Sequence, residues 1–341
     1  MLTAPELVGR AVRAGLVTAD DVLSGAVTVV DESRSNTVAR LDVAGRPAAY
    51  VKQRGVAAQM DGTDPVGDER RALLALRGLT GSAGRPLVPA LVASLALDVD
   101  SLWVQAVDGA VLTGHRGAVP DLARLCRAWG SATAALHRWP APTAGEHPGP
   151  TLRAPLPWAL DPDAIPPSMS GSEGTPFAAV LDTFLGDPAL RRAAAEARRL
   201  WTAGAWVHGD LTASNVLVAR SSPDPHVVLL DLEAAGLGDP GWDVATAIDS
   251  IGWLAPSWSA PPEPLVEHFL DGYRDGDGPG RAHAALQAVR AVMTAWQVAG
   301  QVHRERGGAR GTVGAPDPRI TRLLDAAQRY AAELDREAVP A

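Results

Sequence analysis

The period of the apolar residues changes once along this chain, near Asp108-Gly109, and that change limits the possible folds more than any other feature. Before it, short alternating runs read as strands: Ala26 to Val30, Thr37 to Val43, Ala48 to Gln53, Leu87 to Leu97 and Ser101 to Val107. The second and third are joined by Ala44-Gly45-Arg46-Pro47, so they form part of an antiparallel meander. One helix, predicted over residues 66–78, interrupts the series, and two short helices before residue 26 pack outside the sheet. After residue 109 the spacing is helical, with Leu122, Leu125, Cys126, Trp129 and Leu136 on one face. Helices are expected again over 178–203, 242–255, 263–274, 280–304 and 317–337, with short strands at Val216 to Val218 and Val227 to Leu230. The prediction is an α+β chain in two lobes, a small antiparallel-sheet lobe over 1–108 and a mainly helical lobe over 109–341. A length of 341 residues is also long for one core.

Composition narrows the function classes. Hydrophobic residues make up 46% and charged residues 21%, enough apolar material for a packed interior. A formal net charge of -8 argues against a nucleic-acid partner, because phosphate neutralisation needs a clustered basic face. Every apolar stretch is broken by charge, Pro or Gly short of bilayer length, so no membrane span is expected. Thr3 and Glu6 have capping-box spacing, which predicts a helix start and not a signal peptide. One cysteine, Cys126, permits neither an internal disulfide nor a cysteine-rich zinc site, and a reducing cytoplasm is the expected home. Residues 140–176 hold ten of the 28 prolines and are expected to form a long loop or lid.

The residues that carry chemistry lie in His208-Gly209-Asp210-Leu211-Thr212-Ala213-Ser214-Asn215 and in Leu229-Leu230-Asp231. Each of Asp210, Asn215 and Asp231 falls at the edge of a short apolar strand. Metal-assisted phosphoryl transfer needs such a set, one carboxylate near an acceptor hydroxyl and an Asn and a second Asp as oxygen ligands for magnesium. Lys52 is the one lysine among 31 basic residues, and its compact ammonium can sit between phosphates where a guanidinium fits poorly. A Walker-type loop is excluded, since Lys52 is followed by Gln53, and neither G-x-S-x-G nor H-E-x-x-H occurs.

This pattern resembles the aminoglycoside phosphotransferase-like branch of the protein-kinase-like fold, over roughly residues 26–255. The resemblance implies a bilobal fold that takes ATP or GTP with Mg2+. It makes Asp210 the catalytic base or hydroxyl-orienting residue, gives magnesium to Asn215 and Asp231, and has His208 brace the loop. Asp243, in Gly241-Trp242-Asp243-Val244, matches the buried aspartate that supports that loop. Lys52 on the third strand would contact the α- and β-phosphates. Glu69, 17 positions on, would pair with it, and Asp68 competes by sequence alone. The turn holding Ser35 and Asn36 would cap the phosphates in place of a glycine-rich loop. Gln105 to Val107 would offer backbone groups to adenine.

A lysine two positions after the catalytic aspartate is usual in eukaryotic-type protein kinases, and here that position is Thr212, which favours a specialised acceptor. The expected acceptor is a hydroxylated small molecule such as an aminoglycoside. The alternative is Ser or Thr of a precursor peptide in peptide natural-product biosynthesis, and a third reading is a kinase-shaped binding protein without turnover. The 140–176 stretch and the helix with Glu263, Glu267, Asp271, Asp275 and Asp277 are candidate covers for the acceptor. The remaining histidines, His115, His137, His147, His226, His268, His283 and His303, have no ligand spacing and are expected at the surface or in packing roles.

Overall fold

In the first sheet, alternation along one strand decides which side faces the chemistry. The computed structural model describes residues 2–33, 37–55, 64–81, 84–95, 101–141, 153–162, 165, 174–220, 224–306 and 317–337. Strands β1 (Val27–Asp31), β2 (Thr37–Val43), β3 (Arg46–Gln53) and β4 (Leu102–Gln105) form an antiparallel sheet in that order. Ala49 and Val51 of β3 face one side, where they join Leu41, Trp103, Val92 and the buried Leu7 and Ala11 of helix α1 (Ala4–Arg13). A period of two then sends Tyr50 and Lys52 to the opposite side. Lys52 lies mid-sheet, opposite Val38 on one neighbour and Leu102 on the other. Helix α2 (Ala19–Leu23) buries none of its residues, contrary to the expected packing, because five residues with Asp20, Asp21 and an 85% exposed Leu23 offer no apolar face.

Helix α3 (Pro65–Ala75) begins with Asp64 accepting the Gly67 N–H and turns Val66, Glu69, Ala72 and Leu73 inward. It stops at Ala75, three residues before the expected end. The run from Leu87 is not a fifth strand: it makes one bridge, Leu91 to Val104, and then a short 3-10 turn over Ala93–Leu95. Pro86 and Pro89 have no N–H for a ladder and break the strand at its start. Residues 96–97 of that expected strand lie outside the described residues.

Past Asp108 the chain enters a different sheet. Strand β5 (Gly109–Val111) pairs with β7 (Val216–Ala219), which pairs with β8 (Val227–Leu229), while β6 (Ala205–Val207) pairs with β9 (Gly236–Gly238). Helix α4 (Val119–His137) buries Leu122, Leu125, Cys126, Trp129 and Leu136 as its spacing predicts, and each large apolar side chain so placed contributes roughly 1.5–3 kcal/mol. The predicted helix over 178–203 is two helices, α5 (Pro176–Gly186) and α6 (Pro188–Leu200). Asp187 leaves helical geometry and caps Ala189 and Leu190, and Pro188 cannot donate across the break.

Four further helices follow among the described residues: α7 (Pro240–Leu254), α8 (Pro262–Asp275), α9 (Ala284–Glu305) and α10 (Pro318–Glu337). Helix α8 lies directly on α4, because Gly130 and Gly272 let the two backbones meet; a Cβ on Gly130 would stand 1.9 Å from Phe269 O. One apolar cluster joins α3, β4, α4, α7 and α8. A second joins α5, α6, α9 and α10. Among the described residues no helix is long and apolar enough to cross a membrane. Most of the 140–176 stretch lies outside the described residues.

Candidate active site

Lys52 reaches from β3 toward α3 and the segment after β8. Its Nζ donates to Glu69 Oε2 at 2.6 Å and to Asp231 Oδ1 at 2.5 Å. Glu69 is therefore the helix partner, while Asp68 points away and pairs with Arg71. Burial alone would lower the Lys52 ammonium, but the two carboxylates outweigh it and hold the lysine above its ordinary value. Burial pushes the Glu69 carboxyl up, against the Lys52 charge and a hydrogen bond from the Leu232 N–H. Asp231 is 40% exposed at its side chain and sits at φ 61°, ψ 60°, a left-handed conformation that costs a non-glycine residue about 1–3 kcal/mol. The strain turns the chain sharply after β8 and presents the carboxylate to Lys52.

The second cluster is the loop between β6 and β7. Asp243, fully buried in the first turn of α7, accepts the His208 N–H at 2.6 Å and the Gly209 N–H at 3.0 Å. Trp242 Nε1 donates to Gly209 O at 2.9 Å, so α7 holds both the N–H and the C=O of Gly209. Gly209 has φ +82°, and a Cβ there would stand 2.3 Å from Ala234 O, so no other residue fits without displacement. His208 Nε2 donates to Leu230 O at 2.7 Å and its Nδ1 faces the Asp210 N–H at 3.4 Å, which fixes the Nε2–H tautomer and ties residue 210 to the chain entering Asp231. Asn215 Nδ2 donates to Asp210 O at 2.9 Å and Asp210 Oδ2 at 3.2 Å. With its amide nitrogen turned to Asp210, the Asn215 carbonyl oxygen is the end left for a cation. Ser250 of α7 accepts the Ala213 N–H at 2.8 Å and closes the loop.

The structure thus gathers Lys52, Glu69 and Asp231 in one cluster and His208, Asp210, Asn215 and Asp243 in a second, joined through Leu230. Ser35 and Asn36 lie outside the described residues. At the expected hinge the Gln105 N–H is taken by Ala90 O at 2.8 Å and the Ala106 N–H by Ala48 O at 3.1 Å. Of the amide donors expected from Gln105 to Val107, only the Val107 N–H lacks an acceptor among the described residues. Of the acids in and just after α8, Asp271 and Glu267 bind Arg274 at 2.6 and 3.3 Å, Asp275 pairs with Arg127 of α4 and Asp277 lies 3.6 Å from Arg138, while Glu263 is exposed without an ion-pair partner among the described residues. No cluster of three His, Cys, Asp or Glu suited to a metal occurs among the described residues. A cavity of about 720 Å³ between α4 and the 224–227 turn is lined by Arg127, Arg138 and Asp275 but by no residue of the two clusters. Sequence reasoning gave His137 only a surface or packing role; it is buried and bonded to Asp243, 106 residues away, and no local pattern signals that bond.

A model of the phosphotransferase enzyme family matches residues 27–291. The chain belongs to that family. It is a phosphotransferase acting on hydroxyl groups of small molecules. Solved structures share the fold at low identity. A choline kinase from Cryptosporidium parvum is 11% identical with a TM-score of 0.58, covering 98% of this chain and 97% of that one. A macrolide 2'-phosphotransferase from Brachybacterium faecium is 18% identical with a TM-score of 0.52, covering 94% and 97%. An aminoglycoside phosphotransferase from Streptomyces rimosus, solved with ADP and streptomycin, is 16% identical with a TM-score of 0.52, covering 83% and 97%. At these identities the likeness concerns the bilobal, protein-kinase-like fold. No curated protein sequence matches the chain.

Proposed function

We propose that this phosphotransferase moves the γ-phosphoryl group of ATP or GTP to a hydroxyl of a small acceptor, in a cleft between a nucleotide-binding lobe (1–108) and a helical lobe (109–341). The observation that carries the reading is Lys52, held by Glu69 and Asp231 together while the Asp210 loop is locked from behind by Asp243. In this reading Lys52 binds the α- and β-phosphates as a point charge and Glu69 fixes its position. The Val107 N–H is the hinge donor for the base. Asp210 orients the acceptor hydroxyl and takes its proton as the new P–O bond forms and the bond to the β-phosphate oxygen breaks. His208 holds the loop at the distance from Asp231 that this geometry needs.

Magnesium fits the residues present. Asp231 and the Asn215 carbonyl oxygen are hard oxygen donors, and a magnesium ion commonly takes one or two protein oxygens with the remainder from phosphates and water. When bound, the ion neutralises charge on the phosphates.

The acceptor is a hydroxylated small molecule such as an aminoglycoside or a related metabolite, supported by the family and by the small acceptors named for the C. parvum, B. faecium and S. rimosus enzymes. The test is a mass-spectrometric screen of aminoglycosides, macrolides, choline, ethanolamine and Ser/Thr peptides with ATP or GTP and magnesium. A gain of one phosphate on a small hydroxylated compound is expected. Transfer to peptides alone would move the acceptor to a precursor peptide, and magnesium-dependent binding without transfer to any compound would leave a kinase-shaped binding protein.

A further inference from the structure

One face of α4 carries arginines toward both ends and small residues between them. Arg124, Arg127, Ser131, Ala135 and the C-cap Arg138 recur at intervals of three and four, so they share that face. Arg127 and Arg138 lie about 16 Å apart along the axis, at 1.5 Å per residue. The small side chains between them leave a hollow, which forms the cavity of about 720 Å³. Its opposite wall is two turns fastened together: the Leu229 N–H donates to Leu87 O at 2.7 Å, and His226 Nε2 donates to Pro86 O at 2.9 Å. Arg85 is fixed in the first of these turns by the Gly81 N–H, which donates to its carbonyl oxygen at 2.9 Å.

Charge in this cavity runs against that of the whole chain. Arg85, Arg124, Arg127 and Arg138 line it with only Asp224 and Asp275 as acids, a positive surplus on a chain of net charge -8. Three of these arginines have acids beside them, Asp121, Asp275 and Asp277 in turn, but all three pairs are exposed, where such pairs are weak and exchange readily. Arg85 is half-buried and has no acid partner among the described residues. His226 is a second, independent sign. Pro86 O only accepts, so the ring proton sits on Nε2, and the other nitrogen, Nδ1, is closed off from solvent with no partner among the described residues. A phosphate satisfies that nitrogen in either state: the monoanion donates its own proton, and the dianion accepts one from a protonated ring. Leu87 and Val227, both buried, give the same wall an apolar stretch.

We propose that this cavity is a second anion site, separate from the Lys52 and Asp210 clusters, which takes a small organic phosphate. The phosphate group binds Arg85 and His226, and the organic body lies in the hollow over Ala135 against Leu87 and Val227. Arg85 precedes Pro86, the residue whose carbonyl holds His226, so the two groups belong to one corner of the cavity. A guanidinium presents parallel N–H groups that match two phosphate oxygens at once, and the volume is of the size that small organic ligands fill. Arg127 and Arg138 supply further positive charge, since a multiply charged anion displaces their exposed acids at little cost.

Calorimetric titration of the full chain with 1-naphthyl phosphate, in the absence of magnesium, tests it. Wild type is expected to bind one equivalent, and 1-naphthol, which has the same body without the phosphate, should bind about tenfold more weakly or worse. Arg85→Ala should weaken the phosphate probe about tenfold. Ala135→Leu fills the hollow and leaves every charge in place, and it should weaken the probe by a similar factor. Lys52→Ala should bind the probe within about twofold of wild type, because the cavity shares no residue with the Lys52 cluster. Thermal melts of the three variants confirm that each is folded before titration. No binding to wild type, equal affinity for 1-naphthol, or wild-type affinity in both Arg85→Ala and Ala135→Leu would overturn the proposal. Binding lost in Lys52→Ala and kept in Arg85→Ala would put the phosphate beside Lys52 and overturn it as well. The titration needs no acceptor and no transfer, so its outcome is independent of the acceptor assignment.

Discussion

Replacing Glu69 with Gln separates the part Glu69 plays in holding Lys52 from its part in holding the fold. Both carboxylates touch the same nitrogen, at 2.6 and 2.5 Å, so their oxygens are no more than about 5 Å apart. At an effective dielectric of about 20, the Lys52–Glu69 attraction is worth about 6 kcal/mol, and the Glu69–Asp231 repulsion cancels about 3 of it. Gln also removes the cost of keeping a buried carboxylate ionised, so the net loss of stability is about 0–3 kcal/mol and Tm should fall only a few degrees. Catalysis should suffer more. With one ionic partner left, Lys52 is drawn onto Asp231 and away from the phosphates, and a displacement of about 1 Å costs on the order of 10² in rate. The assay pairs a thermal melt with nucleotide titration and transfer kinetics on the same preparation. Glu69→Gln that binds nucleotide and transfers phosphate within twofold of wild type would refute the claim that Glu69 positions Lys52.

Three further outcomes follow from the site and a fourth from an ion pair at the start of α10. Asp231→Ala should abolish detectable turnover and Asn215→Ala reduce it less, since the carboxylate carries the charge; full wild-type activity in excess chelator would defeat the metal assignment. Asp210→Asn should lower kcat by about 10² to 10⁴ while calorimetric nucleotide affinity changes no more than a few-fold; parallel loss of binding would withdraw the base role. Gly209→Ala should destabilise by about 2 kcal/mol or more, because the residue is held at φ +82° with Ala234 O at 2.3 Å from the added carbon; an unchanged melt would refute that loop conformation. Asp317 is held below its ordinary value by Arg319, so its contribution is complete above the unfolded carboxylate value near 4 and is lost as pH falls through the lower folded value. Melts of wild type and Asp317→Asn should converge below about pH 4, and parallel curves would count against the pair.

Much of the fold was legible because its signals are local. Alternation in β2 and β3 and helical spacing in α4 each repeat several times within one element, and the structure follows them. Where an element is too short to repeat, the signal vanishes: β6 and β9 have three residues each and gave no period. The expected helix over 178–203 failed for another reason, since its apolar spacing runs through Asp187-Pro188 while the backbone does not. At Leu87 two prolines outweighed an apolar run that would otherwise read as a strand.

The site shows the same division between local and distant signals. Spacing brought out Asp210, Asn215 and Asp231 because all three lie within about twenty residues on one loop and the next strand end. The choice between Asp68 and Glu69 was also present in the sequence: Val66, Glu69, Ala72, Leu73 and Leu76 recur at helical intervals, and a carboxylate inside that apolar stripe must find a cation when the helix packs. Asp68 lies off the stripe and pairs with Arg71 on the surface. No such reasoning reaches His137. Its partners are 106 and 136 residues away, so only the crossing of α4 with α7 and α8 brings Asp243 and Tyr273 to it. A histidine on the inner face of a helix reads as packing until that crossing is known. The crossing itself depends on Gly130 meeting Phe269 and Gly272 meeting Arg127, contacts between backbones that carry no side-chain pattern. Two glycines in α4 and α8 thus bring Tyr273 within reach of His137, and His137 within reach of the aspartate that holds the catalytic loop.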